Sequence, residues 1–158
     1  MKRVIFLICI NFMVTGYAQD NVAMYTNSES IWEQDFSIAE KLTKSTDKPM
    51  MIFFTGSDWC GPCKMLVADV FESEKFKNEF KDEFILYEAD TPRNKNLITG
   101  SQKVDNDKLK KKYNVNSFPT IVVVNGKGKE IARKKSYNLM RDTSYHFLFF
   151  EETLKKYK

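Results

Sequence analysis

The chain has 158 residues, which is enough for one domain with a short additional segment. Hydrophobic residues make up 42% of it and charged residues 29%, which are ordinary values for a soluble globular protein. A formal net charge of +4, with acids interspersed among the bases, argues against nucleic acid as a partner. The run Lys110-Lys111-Lys112 lies close to Asp105 and Asp107 and is typical of a solvated helix face.

The first residues have the pattern of a secretory signal. Lys2 and Arg3 form a basic start, residues 4–14 are apolar apart from one asparagine, and Gly16 and Ala18 are small. This order predicts a signal peptide that is cleaved after Ala18. The apolar run is shorter than the ~20 residues that a membrane-spanning helix needs. An uncleaved anchor and a buried strand are the alternatives.

Cleavage would change the rest of the chain in three ways. Removing residues 1–18 lowers the formal charge from +4 to +2, because the segment holds two bases and no acid. Residues 19–30 are polar and are predicted to form a flexible lead-in to a domain at 31–158. Export would place that domain in the periplasm, where disulfides can persist.

The first half of the domain is predicted to contain two strands and three helices. Apolar residues recur at helical spacing over residues 31–45, where Ser28 or Ser30 is available as an N-cap and Pro49 prevents continuation. A buried strand is predicted next, at residues 50–55. Helices at residues 60–71 and 73–80 and a second strand at residues 84–87 follow.

The second half is predicted to begin with a long polar segment. Residues 91–104 contain Pro92 and Gly100 and favour a loop or a surface insertion, followed by a short helix that Asp105 caps. A strand at residues 120–124 is predicted to lead into a hairpin turn at 125–128 and a return strand at 129–133. A last helix is predicted at residues 143–157. His146 is expected at the face or edge of the last helix. The positions of this helix that are expected to be buried are Tyr145, Leu148, Phe149 and Leu154.

This order of elements predicts an α/β fold. Strands that alternate with helices pair in parallel, and the closing hairpin makes the sheet mixed. We therefore expect a central mixed β-sheet flanked by helices on both faces, with no internal repeat. The protein is expected to be a monomer. Its cysteine pair is predicted to lie at the junction of a strand and a helix.

Three functions are open to the cysteines at positions 60 and 63. A signal peptide would remove Cys9, the third cysteine. A structural disulfide is disfavoured, since a bridge across two residues removes little unfolded-state entropy. A metal site is disfavoured too, because structural metals need about four ligands and the mature chain would add only His146. Electron exchange is the interpretation that the spacing favours.

The two thiols are expected to have different roles. Cys60 would lie at the first turn of a helix, where unpaired N–H groups and the helix dipole favour a thiolate. Cys63 would lie one turn further in, shielded but close enough to attack a mixed disulfide at Cys60. Pro62 fits an early helical position, because it lacks an N–H.

Two motifs resemble those of the thioredoxin family. The string Trp59-Cys60-Gly61-Pro62-Cys63-Lys64 matches the active-site motif of thioredoxin residue for residue, and Phe118-Pro119-Thr120 resembles the family's second landmark. The resemblance covers residues 31–157 and implies a thioredoxin fold, similar to that of exported thioredoxin-like proteins of Gram-negative bacteria.

The resemblance also implies which residues contact a client. Pro119 should be cis and lie against the cysteine pair, an uncommon state at ~5–6% of X-Pro bonds. The backbone of Phe118, between Ser117 and Pro119, should pair with an extended client segment, and Thr120 should begin the next strand. Trp59 should shield the disulfide, and Gly61 and Pro62 should flank it.

One feature departs from the family. Thioredoxin carries a buried carboxylate on the strand before the motif, whereas residues 50–54 hold no acid. Deprotonation of Cys63 is therefore expected to use water, Asp58 or Lys64, and reduction at neutral pH is expected to be slower.

The resemblance implies a reductase of protein disulfides with no cofactor. The Gly61-Pro62 pair is similar to that of reducing thioredoxins, and an exported reductase needs an electron donor, for which a membrane thiol-transfer protein is expected. A disulfide oxidase or isomerase, and a non-catalytic binding module with an idle cysteine pair, remain alternatives.

Overall fold

The computed structural model describes residues 30–157, so the predicted signal peptide and its cleavage site lie outside the described residues. The helices are α1 (Phe36–Thr46), α2 (Gly61–Leu66), α3 (Glu74–Glu79), α4 (Gly100–Lys112) and α5 (Ser144–Tyr157). The strands are β1 (Met50–Thr55), β2 (Ile85–Asp90), β3 (Thr120–Val124) and β4 (Glu130–Lys135). A π-helical segment, Val67–Phe71, continues α2 directly.

The four strands form one mixed sheet in the order β2-β1-β3-β4. β1 pairs with β2 in parallel and with β3 antiparallel, and β3 pairs with β4 antiparallel. The hairpin between β3 and β4 turns at Asn125, whose side-chain oxygen accepts from the N–H groups of Lys127 and Lys129 at 3.0 Å each. Gly128 has φ +69°, a conformation that glycine adopts without strain.

Helices cover both faces of the sheet, which confirms the predicted architecture. Successive strand residues point to opposite faces, so β1 contributes Met51 and Phe53 to one core and Ile52 and Phe54 to the other. The first core lies under α2, α3 and α5, and it includes both cysteines. The second core lies under α1 and α4. The cysteine pair therefore belongs to one face only.

The first helix is shorter than predicted. It begins at Phe36 rather than Ile31, and its N-cap is Asp35 rather than Ser30; Ser28 lies outside the described residues. The Asp35 carboxylate accepts from the N–H groups of Ser37 and Ile38 at 2.7 and 3.2 Å. An aspartate in this position satisfies helix N–H groups that otherwise have no partner.

The apolar residues before α1 pack from an extended segment. Trp32 lies against the first core, with its ring 4.9 Å from that of Phe71. The next residue, Glu33, donates its N–H to the Leu86 carbonyl at 2.8 Å and forms a parallel bridge at the outer edge of β2. The helical spacing of these residues therefore did not indicate a helix. An extended segment that packs against the core produces a similar pattern of apolar residues.

The predicted loop at 91–104 is shorter than expected. α4 begins at Gly100, so Asp105 lies within the helix instead of capping it. Thr99 is the cap: its hydroxyl accepts from the Gln102 N–H at 3.2 Å, and its own N–H donates to the Gln102 side chain at 2.8 Å. This reciprocal pair is a capping box. Only the segment from Thr91 to Thr99 connects β2 to α4.

α5 turns a different face to the core than predicted. Tyr145 and Leu148, expected to be buried, are 55% and 52% exposed, whereas Phe149 and Leu154 are partly buried. The buried residues are His146, Phe147, Phe150 and Thr153. His146 is therefore not at an edge: it is 3% exposed, and its ring lies 5.3 Å from that of Tyr137.

Candidate active site: the cysteine pair

Cys60 and Cys63 form a disulfide at the start of α2, directly after the turn that follows β1. Cys60 is the N-cap, and its sulfur accepts from the Cys63 N–H at 3.3 Å. Pro62 occupies the first turn of the helix, where a missing N–H costs nothing. Cys60 is 4% exposed and Cys63 is fully buried, so Cys60 is the sulfur that lies closer to solvent.

The turn before the motif is held by two sets of hydrogen bonds. The Gly56 carbonyl accepts from the N–H groups of Trp59 and Cys60 at 3.1 and 2.8 Å. The Asp90 carboxylate, at the end of β2, accepts from the Ser57 N–H at 2.8 Å and from its hydroxyl at 2.5 Å. The position of the cysteine pair is therefore fixed by the carboxyl ends of both parallel strands.

Trp59 lies at the surface beside the disulfide. It is 38% exposed, and its indole N–H donates to the Thr91 carbonyl at 2.9 Å. Its ring meets that of Phe118 edge to face at 5.7 Å, and the Arg93 guanidinium lies 5.3 Å from the ring centroid. These contacts bring the loop after β2 and the segment before β3 to the motif.

The predicted second landmark has the expected backbone. The Phe118–Pro119 peptide bond is cis, as the resemblance implied. Pro119 is buried, and Thr120 begins β3 with its hydroxyl donating to the Ser117 carbonyl at 2.8 Å. Gly61 is exposed, and a Cβ built on it would meet no atom within 4 Å. Of the residues predicted to contact a client, Trp59, Gly61 and Pro62 adjoin the cysteines in the chain, and Phe118 packs against Trp59.

Asp58 and Lys64 were expected to serve Cys63 as proton acceptors, but both are engaged elsewhere. The Asp58 carboxylate accepts from the N–H groups of Arg93 and Asn94 at 3.0 and 2.9 Å, and these bonds hold its pKa below the usual range. The Lys64 ammonium donates to the Asp58 carbonyl at 3.1 Å. Asp58 therefore fixes the loop after β2 next to the motif.

Glu88 is the residue near the site that the sequence analysis missed. It lies on β2, directly opposite Phe53 of β1, and it lines a cavity that also reaches Cys63. Burial, with a smaller contribution from the charge of Asp90, raises the pKa of Glu88 to about 7. The available signal was an acid that directly follows the apolar stretch Phe84-Ile85-Leu86-Tyr87 within the same strand.

Residues 30–157 contain neither a cluster of metal-ligating side chains nor a membrane-spanning helix. No three His, Cys, Asp or Glu residues of this part come together in an arrangement that could hold a metal ion. No helix of the same part is long and apolar enough to cross a membrane.

Comparison with known proteins places the chain among thioredoxin-like proteins. Residues 36–144, more than half of the chain, match the family model of the thioredoxin-like domain. The chain is 38% identical over 104 residues to the disulfide bond reductase DsbH of Chlamydia pneumoniae, covering 65% of this chain and 60% of that protein. It is 29% identical over 112 residues to the thioredoxin-related protein DsbJ of the same organism, covering 70% and 32%.

Solved structures give the same result. A DsbH oxidoreductase matches with a TM-score of 0.67 at 30% identity, over 78% of this chain and 83% of that chain. The C-terminal domain of Neisseria meningitidis DsbD shares the fold, with a TM-score of 0.52 at 16% identity over 74% and 90%. The matched segment spans less than two thirds of either Chlamydia protein. With the family model, the cysteine pair and the mixed sheet in agreement, the chain belongs to the thioredoxin-like family.

Proposed function

We propose that the protein is an exported thiol–disulfide oxidoreductase that reduces disulfide bonds in client proteins. The observation that carries this proposal is the Cys60–Cys63 disulfide at the start of α2, with Cys60 slightly exposed and Cys63 fully buried. A bridge across two residues does little for stability, so a redox function explains it better than a structural one.

The reaction would proceed in two exchanges. In the reduced protein the Cys60 thiolate attacks a client disulfide, forming a mixed disulfide and releasing one client thiolate. Cys63 then attacks the Cys60 sulfur, which restores the Cys60–Cys63 bridge and releases the second client thiolate. Cys60 suits the first step because the Cys63 N–H and the positive end of α2 stabilise its thiolate. A membrane thiol-transfer protein is the proposed electron donor.

The proposed client-binding surface surrounds the disulfide. Trp59 and Phe118 form one aromatic side of it through their edge-to-face contact. Gly61 is exposed and leaves space for a client chain beside the cysteines. The backbone at Phe118, just before Pro119, would add an extended client segment through main-chain hydrogen bonds, which suits clients of varied sequence.

Reduction is the proposed direction because a relative is named a disulfide bond reductase and because a Gly-Pro pair separates the cysteines. The reduction potential of the Cys60–Cys63 pair tests this directly. We expect a value near that of thioredoxin, about −270 mV. A value near about −120 mV, typical of strong oxidants, would instead assign the protein to disulfide formation.

The activity itself is tested by reduction of insulin disulfides with dithiothreitol as the electron source. We expect Cys60→Ser to abolish the protein-dependent rate, and Cys63→Ser to accumulate clients as mixed disulfides. A scaffold with an idle cysteine pair would trap no client and would support no insulin reduction. Export is tested separately by the N-terminal sequence of the protein in a periplasmic extract, which should begin at Gln19.

A further inference from the structure

A cavity of about 250 Å³ lies beside the disulfide and reaches the fully buried Cys63. We call it the Cys63 cavity; its polar lining residues are Thr55, Ser57, Lys64, Glu72 and Glu88. A cavity of this volume has room for several water molecules, and these five side chains offer them polar partners. A proton that leaves the buried Cys63 thiol therefore has a polar route, and the groups that line this route decide where the proton goes.

Strand geometry directs Glu88 into the Cys63 cavity. Its neighbours Tyr87 and Ala89 pack into the core on the opposite face of the sheet. Because side chains alternate along a strand, Glu88 must point to the face that carries α2 and the cysteines. Across the sheet it stands opposite Phe53, which belongs to the same core as Cys63.

The charged groups around Glu88 come from three elements. On β2, Asp90 faces the same side and raises the pKa of Glu88 further, while Ser57 holds the Asp90 carboxylate through two hydrogen bonds. On α2, Lys64 lines the cavity with its ammonium bound to a backbone carbonyl. Glu72, after the π-helical segment, is exposed at the cavity. With a pKa of about 7, Glu88 can take up and release a proton at neutral pH.

We infer that Glu88 is the proton-transfer residue for Cys63, exchanging the proton through the Cys63 cavity. The inference rests on the proposed disulfide exchange and names the group that makes the second step fast. β1, which precedes the motif, supplies no acid, and the neighbouring strand provides one in its place.

Each step balances in protons and sulfur bonds. When Cys63 resolves the mixed disulfide, its thiol gives the proton to the Glu88 carboxylate. The Cys63 thiolate then bonds to the Cys60 sulfur, the Cys60–client bond breaks, and the client leaves as a thiolate. When a donor thiolate later attacks Cys60, the Cys60–Cys63 bond breaks, Cys63 leaves as a thiolate, and the Glu88 carboxylic acid returns the proton to it.

A two-phase reaction isolates the step that involves Glu88. The reduced protein is mixed with dithiobis(nitrobenzoate) in a stopped-flow instrument. Cys60 releases the first nitrothiobenzoate, and Cys63 releases the second when it resolves the mixed disulfide. We expect Glu88→Gln to slow the second phase by about tenfold or more near neutral pH. A positioned acid or base typically accelerates a reaction by roughly 10²–10⁴-fold, so tenfold is a modest threshold. The first phase should stay within about twofold, because Cys60 does not depend on Glu88.

Glu72→Gln is the matched control, since it removes an exposed carboxylate from the same cavity. We expect both of its phases to match those of the unsubstituted protein. Equal second-phase rates in Glu88→Gln and in the unsubstituted protein would overturn the inference. Equal slowing by Glu72→Gln and Glu88→Gln would also overturn it, because the effect would then come from general charge in the cavity.

The unsubstituted protein gives a second test that does not depend on the folding of a variant. Its second-phase rate should rise with pH around a midpoint near 7. A single midpoint near that of an unassisted thiol, about 8.5, would contradict the role of Glu88. If the unsubstituted protein showed no second phase at all, the proposed disulfide exchange would itself fail, and that outcome differs from a failure of Glu88 alone.

Discussion

Trp59 lies directly over Gly56. A Cβ built on Gly56 would come within 2.3 Å of the indole ring, far inside van der Waals contact. The Gly56 carbonyl also accepts the N–H of Trp59, so the same residue holds both the backbone and the ring of the tryptophan. The aromatic side of the disulfide thus depends on a missing side chain one turn earlier.

We predict that Gly56→Ala displaces the Trp59 ring and breaks its hydrogen bond to the Thr91 carbonyl. The protein should lose about 1–3 kcal/mol of unfolding free energy, as overpacked sites do. Urea unfolding measures this loss. Gly100→Ala is the control, because a Cβ there meets no atom within 4 Å; it should leave the protein equally or slightly more stable. Equal urea midpoints for Gly56→Ala and the unsubstituted protein would contradict the packing described.

His146 makes stability depend on acid. Burial, with a smaller contribution from the Lys134 charge, lowers the pKa of His146 from 6.5 to about 4 in the folded protein. Between these pH values the unfolded chain binds the extra proton, so unfolding becomes easier as the pH falls. We expect a loss of roughly 2–3 kcal/mol between pH 7.5 and pH 4.5 from this residue.

The variant His146→Phe keeps an aromatic ring against Tyr137 and removes the titrating group. The unfolding free energy of both proteins is measured in urea at pH 7.5 and at pH 4.5. Between these pH values, the loss in His146→Phe should be smaller than the loss in the unsubstituted protein by roughly 2–3 kcal/mol. Identical pH dependence in the two proteins would show that His146 is not buried as a neutral ring.

Glu88 should affect stability with the opposite sign. Its pKa is raised from 4.5 to about 7, so the folded protein binds a proton that the unfolded chain has lost. The stabilisation is complete below pH 4.5 and is lost as the pH rises through 7. At pH 8 we expect Glu88→Gln to be more stable than the unsubstituted protein, by up to roughly 3 kcal/mol.

This prediction is measured on the oxidised protein, so it reports the burial of Glu88 and not its part in catalysis. Urea midpoints at pH 5 and pH 8 suffice, and Glu72→Gln should show no comparable gain because Glu72 is exposed. A Glu88→Gln variant that is less stable than the unsubstituted protein at pH 8 would mean that the carboxylate is favourably bound there.

Asp69 joins the π-helical segment to the loop before α5. Its carboxylate accepts from the Tyr137 hydroxyl at 2.7 Å and binds the Arg141 guanidinium through two nitrogens. These bonds lower the pKa of Asp69 to about 2, so its stabilisation is present above 3.8 and is lost as the pH falls toward 2. We expect Asp69→Asn to lower the melting temperature at pH 7, with a smaller difference near pH 3.

Asp107→Asn is the comparison for this prediction. It removes one partner of an exposed pair with Lys110, whose nitrogen lies 3.5 Å from the carboxylate, and such pairs contribute little. A melting temperature that falls equally in Asp69→Asn and Asp107→Asn would show that the bonds to Tyr137 and Arg141 add nothing.

The strands were predictable because their signal is local. The residues of β1 and β3 form continuous apolar runs, and both strands are buried throughout. α4 was predicted to start at Asp105, five residues too late, although its capping box is present in Thr99-Gly100-Ser101-Gln102, because Gly100 favours a loop. The phase of α5 was misassigned because aromatic residues occur on several of its faces.

The cysteine pair lies at the predicted start of a helix because six consecutive residues specify that position. Glu88 was not predicted, since a pattern along one strand does not reveal which residue of another strand lies beside it. The pairing of Phe53 with Glu88 depends on the register between β1 and β2, which only the folded sheet provides. From the sequence alone, only groups next to the cysteines in the chain are therefore predictable as proton acceptors.

The backbone bridge at Glu33 also bears on aggregation with unfolded chains. A bare sheet margin is a template for unwanted strand addition. On one margin of the described sheet, Glu33 occupies a backbone position beside β2. On the other margin, β4 ends in Arg133-Lys134-Lys135, and such cationic residues discourage strand stacking. Clients of the proposed oxidoreductase would be partly unfolded, and both margins would then oppose strand addition by them.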